Sequence, residues 1–332
     1  MSLAPVATGT LGPRRTDTQT AMRLAAHFAF VFAPVWLAAW AGPGWLTIAC
    51  WLWVGLLAHG FHLAMHELIH KLLFRNVRWN EWLAHRVVAP LFLVDFDAFR
   101  RRHWAHHRRL GTAEDPKYTY RIDPGGSRLF TLALSMLTVV GAVRKFSLQV
   151  GGRSEGSAAT RRRALAAAAV VQPLWCASVV AAARVGHPNS WIDTLWSAAV
   201  AYGVVYLYGL ASITVWMTTL RGIAEHRRAG AADVVEGDAA LRNFTHGPLE
   251  WLLFGAYGFA DHATHHRHPA VPCHQLPALS RVLARDDATL RPVGTHIRVL
   301  ARLARRREVD VAIGGQSMGT STRPPSTSEA TR

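Results

Sequence analysis

Apolar positions in this chain gather into long unbroken runs. The first extends from about Leu24 to Ala41 and is closed by Gly42-Pro43-Gly44; the second runs from Trp45 to about Met65. A helix needs about 20 mainly apolar residues to cross a bilayer core, and the short link predicts that these two form a helical hairpin. A third run, Ala164 to Ala183, and a fourth, Ile192 to Leu220, are separated only by Arg184 to Trp191 and predict a second hairpin. Pro173 interrupts the third run, which a membrane helix tolerates. Three shorter pieces, Val87 to Val94, Leu129 to Val143 and Trp251 to Phe259, are too short or too closely flanked by charge to cross. They read as buried, re-entrant or interfacial helices. The fold class expected is therefore an all-α integral membrane protein of four transmembrane helices in two hairpins.

Basic residues orient these spans. Arg14, Arg15 and Arg23 precede the first; Lys71, Arg75, Arg78, Arg86, Arg100, Arg101, Arg102, Arg108 and Arg109 follow the second. Arg144, Lys145, Arg153 and Arg161 to Arg163 precede the third, and Arg221, Arg227 and Arg228 follow the fourth. The links inside each hairpin carry almost none. The positive-inside rule places both termini and the whole middle segment in the cytoplasm. A chain of 332 residues that is 50% apolar and still carries a net charge of +16 fits this alternation of spans and basic segments. A nucleic-acid partner is not expected, because the charge lies beside apolar runs and not on one helix face or finger motif. Tryptophans suit interfacial belts, with Trp45, Trp51, Trp53, Trp191 and Trp196 as anchors. Cys50, Cys176 and Cys273 form no CxxC, so neither a disulfide framework nor an Fe–S or rubredoxin-type centre is encoded, and any electrons come from another protein. Residues 1–20 are a polar segment with no apolar stretch, which predicts no cleavable secretory signal. Residues 21–313 read as one membrane domain, and 314–332, rich in Ser, Thr, Pro and Gly, as a disordered tail.

The histidines carry the chemistry. Eight of the 18 fall in three clusters: His66-Glu67-Leu68-Ile69-His70, His103-Trp104-Ala105-His106-His107 and His262-Ala263-Thr264-His265-His266. On a helix, residues three and four apart share a face, so each cluster presents a set of imidazoles to one side. A separate His226 follows the fourth span in Ala224-Glu225-His226. The topology drawn from Lys and Arg alone places all three clusters and His226 on the cytoplasmic side. A structural zinc takes four ligands, so nine candidate imidazoles suit two metal ions with room left for a further ligand. Imidazole alone does not select iron over zinc or copper.

The order HxxxH, HxxHH, HxxHH resembles the three histidine boxes of the membrane fatty acid desaturase and hydroxylase superfamily. The likeness runs from about His62 to Leu283. HELIHKLLFRNVRWNEWLAHRVVAP looks like the first box with its following amphipathic helix, FRRRHWAHHRRLGTAEDP like the second down to Asp115-Pro116, and HATHHRHPAVPCHQLPAL like the third with its Pro-rich follow-on. RGIAEH, ending at His226, looks like the segment that supplies an additional ligand in part of the family. The sequence departs from the family where Thr264 stands in place of a frequent Glu or Gln, and where Phe259 and Ala260 stand in place of a frequent Asn. The resemblance implies a four-span helical fold with a cytoplasmic helical cap, and in that cap a non-haem di-iron centre held by His66, His70, His103, His106, His107, His226, His262, His265 and His266. It implies O2 as co-substrate, a lipid or acyl substrate, and electrons from an external ferredoxin-, rubredoxin- or cytochrome-like donor. The usual outcome is a double bond in an acyl chain.

Other readings remain open on the residues. A hydroxylase or ketolase of a lipid, carotenoid or natural-product intermediate would use the same boxes. His66-Glu67-Leu68-Ile69-His70 also matches HExxH, in which two histidines bind zinc and the Glu is a general base, but that intramembrane peptidase leaves two clusters unexplained. A membrane metal sensor or transporter would place its ligands nearer the bilayer midplane. His62, one turn before His66, is a candidate extra ligand or pocket-lining residue. Glu67, Glu225 and Asp261 each sit beside a candidate ligand, where a carboxylate on the second imidazole nitrogen would fix the tautomer or serve only as a surface charge. Asp95 and Asp97 read as helix breakers or caps.

Overall fold

A computed structural model describes residues 13–112, 114–116, 137–138, 157–226 and 241–302. Every regular element among them is a helix. In chain order these are α1 (Asp17–Ala41), α2 (Trp45–His70) and α3 (Val77–Leu83), which continues through a π turn at Ala84–Val88 to Ala89–Leu91. They are followed by α4 (Phe96–Arg108), α5 (Ala158–Gly186) and α6 (Trp191–His226). Beyond them lie α7 (Pro248–Glu250, extended by a π turn at Trp251–Gly255), α8 (His262–Arg267), α9 (Leu276–Asp286) and a helical stretch at 296–302.

Four of these, α1, α2, α5 and α6, are long and apolar enough to cross a bilayer, and they coincide with the four apolar runs. Each is longer than its run, and polar caps set where three of them start. Thr16 accepts from Gln19 N–H at 3.2 Å while the Gln19 side chain accepts from Thr16 N–H at 3.1 Å, a capping box that starts α1 well before Leu24. Ser157 and Ser190 cap α5 and α6, through Thr160 N–H and Asp193 N–H. Leu165, Val170 and Leu174 on α5 and Ile48 on α2 are each at least 60% exposed. In water such an apolar face would be costly; in lipid it is the expected outer surface.

The spans pack by close backbone approach and by aromatic interlock. At Gly55 of α2 a Cβ would lie 2.7 Å from Cβ of Ile213 on α6, so only glycine fits there. The same crossing is tied by Thr214 Oγ1, which donates to the Gly55 carbonyl at 2.8 Å. At the opposite end from the histidines, a Cβ at Gly186 would collide with the Trp40 carbonyl of α1. Phe32 sits at the centre, with its ring 5.7 Å from Phe61, 5.9 Å from Trp175 and 6.2 Å from Tyr206, joining four helices. Trp45, Trp53, Trp191 and Trp196 are exposed near span ends. Trp51 is not an outward anchor: it stacks on Tyr208 with ring centroids 5.6 Å apart, because its turn of α2 faces α6.

Two of the short apolar pieces lie among the described residues, and neither crosses. Val88, Ala89, Pro90, Leu91 and Phe92 are buried against α5, where Gln172 Nε2 donates to the Pro90 carbonyl at 2.8 Å. The chain then reverses at Leu93, which has φ of 54°. The stretch from Trp251 breaks at Tyr257 and Gly258, with φ of 51° and 83°. Leu129 to Val143 lies outside the described residues except for 137–138, and so do residues 1–12 and the tail from 303.

Candidate metal centre

The histidines lie on elements that end at the same place. His66 and His70 occupy the last turn and a half of α2, and His226 is the last residue of α6. Helix α4, capped by Asp95 through Ala98 N–H at 3.1 Å, brings His103, His106 and His107 to its C-terminal end. The third cluster makes up α8. Its entry depends on Gly258, whose positive φ and close neighbours, Leu276 Cδ1 at 2.7 Å and Cys273 Cβ at 3.1 Å from a hypothetical Cβ, exclude a side chain.

The nine imidazoles form two adjoining sets. His66, His70, His103, His107 and His265 offer donor atoms that all lie within 4.8 Å of one another. So do His106, His226 and His266, and, sharing His226, the trio Glu225, His226 and His262. The sets touch where the rings of His107 and His266 stack at 4.1 Å. His70 Nε2 and His103 Nε2 are 2.7 Å apart, and His226 Nε2 and His262 Nε2 are 3.0 Å apart. Nitrogens bound at about 2.1 Å to one ion are separated by roughly 3–3.5 Å when adjacent, so these pairs suit a shared ion.

Three further observations fit a metal. Both ring nitrogens of buried His66 and Nε2 of His266 lack a hydrogen bond in the protein. Burial, and then the neighbouring imidazoles, hold His103 and His266 well below the ordinary histidine pKa, which favours the neutral rings that a metal ion requires. The donors are imidazoles with carboxylates behind them, a set suited to iron, zinc or copper and not to magnesium or calcium.

Carboxylates orient the imidazoles from outside. Both oxygens of buried Asp115 lie 2.9 Å from His106 Nδ1, and Asp115 also accepts from Gly111 N–H at 3.0 Å. This fixes the ring so that Nε2 faces the centre. Glu67 is fully buried, with Oε1 3.6 Å from His66 Nδ1 and Oε2 accepting the Cys273 N–H at 3.0 Å. It therefore ties the first cluster to the loop after the third. Glu225 is also buried and bonds Arg221 Nη1 through both oxygens at 2.8 Å. Asp261 is turned away to His246, 3.2 Å distant, and this hydrogen bond raises the His246 pKa.

His62 joins neither set; its ring lies against Phe92 and Phe99. Trp104 packs on His70 with ring centroids 4.8 Å apart. Thr264, the residue that departs from the family's third box, has a local reason to be small. Asn243 accepts its N–H at 3.1 Å and donates to its hydroxyl at 2.8 Å, and Ser280 lies 3.0 Å from the same hydroxyl, all buried. Sequence reasoning passed over Asp115 as a ring-orienting group, and over Asn243, Arg221, Glu250 and His296. For Asp115 a signal existed in its place at the end of the second box. For the others no local pattern separates them from ordinary polar residues.

Comparison with known proteins agrees with the geometry. The family model for fatty acid desaturases matches residues 43–297. A sphingolipid delta(4)-desaturase/C4-monooxygenase of Homo sapiens is 25% identical over 258 residues, 74% of this chain and 69% of that protein. A sphingolipid delta(4)-desaturase of Gallus gallus is 37% identical over 71 residues, 20% of this chain and 22% of that protein. An sn-1 oleoyl-lipid 12-desaturase of Arthrospira platensis is 30% identical over 88 residues, 26% of this chain and 22% of that protein.

Proposed function

The chain belongs to the fatty acid desaturase family, and from that premise we propose that it is an O2-dependent di-iron desaturase that introduces a double bond into the acyl chain of a lipid. It is an oxidoreductase and an integral membrane protein. The observation that carries the proposal is the convergence of nine imidazoles from α2, α4, α6 and α8 into two adjoining sets. His66, His70, His103, His107 and His265 would hold one iron, and His106, His226, His262 and His266 the other. When bound, the two irons supply activation of O2 and removal of hydrogen from an unactivated C–H bond, with two electrons from an external donor.

The protein's own residues bind, orient and exclude water. Asp115 sets the ring of His106, and Glu67 ties the end of α2 to the loop after the third cluster. Phe259, its ring 4.6 Å from His66 and 5.3 Å from His262, seals one side of the centre against solvent. The electron donor is an external ferredoxin-, rubredoxin- or cytochrome-like protein, the class that the family resemblance implies; none of the three cysteines forms the CxxC of an Fe–S or rubredoxin-type centre. Both termini and the centre face the cytoplasm on the distribution of Lys and Arg, and residues 21–313 act as one domain.

A second reading, hydroxylation of a lipid, has support in the two activities named for the human relative. The HExxH peptidase reading has less: His66 and His70 sit in a five-imidazole set, and Glu67 is occupied by the Cys273 N–H. Metal content of the purified protein, with lipid profiling of cells that express it, tests the proposal. Two irons per chain with a lipid lighter by two hydrogens is the expected result. A product heavier by one oxygen moves the reaction to hydroxylation, and zinc without iron overturns the reading.

A further inference from the structure

Behind the His226 and His262 pair lies a buried chain of four charged or ionisable side chains that the three boxes do not contain. Arg221, Glu225, Glu250 and His296 are all buried, and Glu225 and His296 are completely so. They come from three separate places: α6, the start of α7 and the helical stretch at 296–302. Arg221 Nη1 donates to both Glu225 oxygens, and its guanidinium lies 4.1 Å over the Phe259 ring. His296 Nδ1 bonds Glu250, whose carboxylate also accepts the His296 backbone N–H at 3.3 Å. His296 Nε2 points back to Glu225 Oε1 at 3.8 Å, and its ring is clamped between Phe244 and Phe254.

The far side of the Glu225 carboxylate faces the centre. Oε2 is 3.6 Å from His262 Nε2 and 3.9 Å from His226 Nε2, while those nitrogens are 3.0 Å apart. Two donors bonded at about 2.1 Å to one ion lie at most about 4.2 Å apart, so all three separations are within reach of a single ion, the two to the carboxylate at wide angles. A buried Arg–Glu pair alone is weak support for stability, because desolvation offsets most of its attraction. Here two buried groups, Arg221 and His296, approach one carboxylate, and His296 is itself held by Glu250 and two aromatic plates, an arrangement that fixes the carboxylate's position.

We propose that Glu225 is an oxygen ligand of the metal held by His226 and His262, and that Arg221, His296 and Glu250 are positioning residues that hold its carboxylate there. This rests on the di-iron reading and adds to it an oxygen donor beyond the nine histidines. The two sites would then differ in chemistry: one all-imidazole, the other mixed imidazole and carboxylate. A harder oxygen donor favours the more oxidised metal, so the mixed site is the one expected to differ spectroscopically.

The test uses the full-length protein in detergent, loaded with 57Fe, with metal analysis, Mössbauer spectroscopy and thermal melting. Wild type is expected to hold two irons per chain with two distinguishable signals; if it holds none, the di-iron reading itself fails. Glu225→Gln is expected to lose one iron, or to keep both with one signal changed and the other intact. His296→Gln is expected to change the same signal by less. Two irons with both signals unchanged in Glu225→Gln would overturn the inference and leave the di-iron reading standing. Should the Gln variant not fold, Glu225→Asp shortens the reach by one methylene while keeping the charge opposite Arg221. Unchanged irons and signals in that variant overturn the inference equally, and loss or alteration of one iron in a protein with wild-type Tm supports it.

Discussion

Asp115 grips His106 with both carboxylate oxygens, each 2.9 Å from Nδ1, although nine residues separate the two in sequence. The grip works because α4 ends at Arg108 and the chain turns back through Gly111, whose N–H bonds the same carboxylate. Asp115→Ala frees the ring to rotate and removes the fixed tautomer. Loss of such a partner lowers metal affinity by about 10–100-fold. Competition with a chelator, read as iron retained per chain, checks this, and Asp115→Asn should fall between the Ala variant and wild type.

Substitution of any one of the nine histidines by Ala should remove most of the activity and part of the iron. His85→Ala is the control. His85 pairs with Glu81 and Asp97, at 3.5 and 3.6 Å, on the partly exposed outer side of the π turn that follows α3, and its loss should leave iron content and product unchanged. Wild-type activity in several of the nine variants would refute the proposed ligand set.

Glu67→Gln separates the oxidase from the peptidase. In the oxidase, the amide oxygen of the substituted side chain still accepts the Cys273 N–H, so activity should fall by less than about tenfold, the lower bound for losing an outer partner. A general base in a zinc peptidase would not survive the change. Product formation from a lipid substrate by the variant is the measurement.

The pH dependence follows from the imidazoles. His103 and His266 have folded pKa values well below the ordinary value, and the unfolded chain titrates near 6.5. Below about 6.5 the unfolded state therefore binds more protons than the folded one, and stability falls as pH falls. Above that value these groups are neutral in both states and contribute nothing to the slope. The Tm of the metal-free protein should drop from pH 7 to pH 5, and iron should protect because it competes with the protons. His246 has the opposite sign: its raised pKa contributes stability below its unfolded pKa that is lost as pH rises through its folded value.

Gly55→Ala tests the crossing of α2 and α6. The added methyl meets Ile213 at 2.7 Å, and overpacking of this kind costs about 1–3 kcal/mol. Ile213→Ala in the same chain should recover part of the lost Tm, which additive independent effects would not produce.

The four spans were legible because lipid demands long apolar runs, and Gly42-Pro43-Gly44 marked where one ends. Eight of the nine histidines stand out because helical spacing puts them on faces; His226, alone after the fourth span, stands out only through the likeness of RGIAEH. What stayed hidden depends on tertiary contact. Trp51 reads as a membrane anchor until Tyr208 is found stacked on it. Glu225 reads equally as a carboxylate on an imidazole or as a surface charge until Arg221 and His296 are found around it. Asn243 lies 21 residues before Thr264 in an ordinary polar segment, and only the fold brings its amide to the third box. For Val87 to Val94 and Trp251 to Phe259 the shortness of the apolar run was enough to show that they do not cross, but the reversal at Leu93 and the break at Tyr257 come from packing that no local pattern encodes.

Adjacent histidines divide between the two sets. His106 and His107 point to different ones, and so do His265 and His266. Helices α4 and α8 each therefore staple both halves of the centre, and neither half can be displaced without dragging the other. In the wild-type chain, with both ligand sets intact, filling should be cooperative: iron added to the metal-free protein at half the full amount should give fewer singly loaded chains than two independent sites would. Native mass spectrometry at substoichiometric iron would count them. With both sets whole, the membrane would hold mainly complete enzymes and empty ones, and singly loaded chains would mark a damaged set.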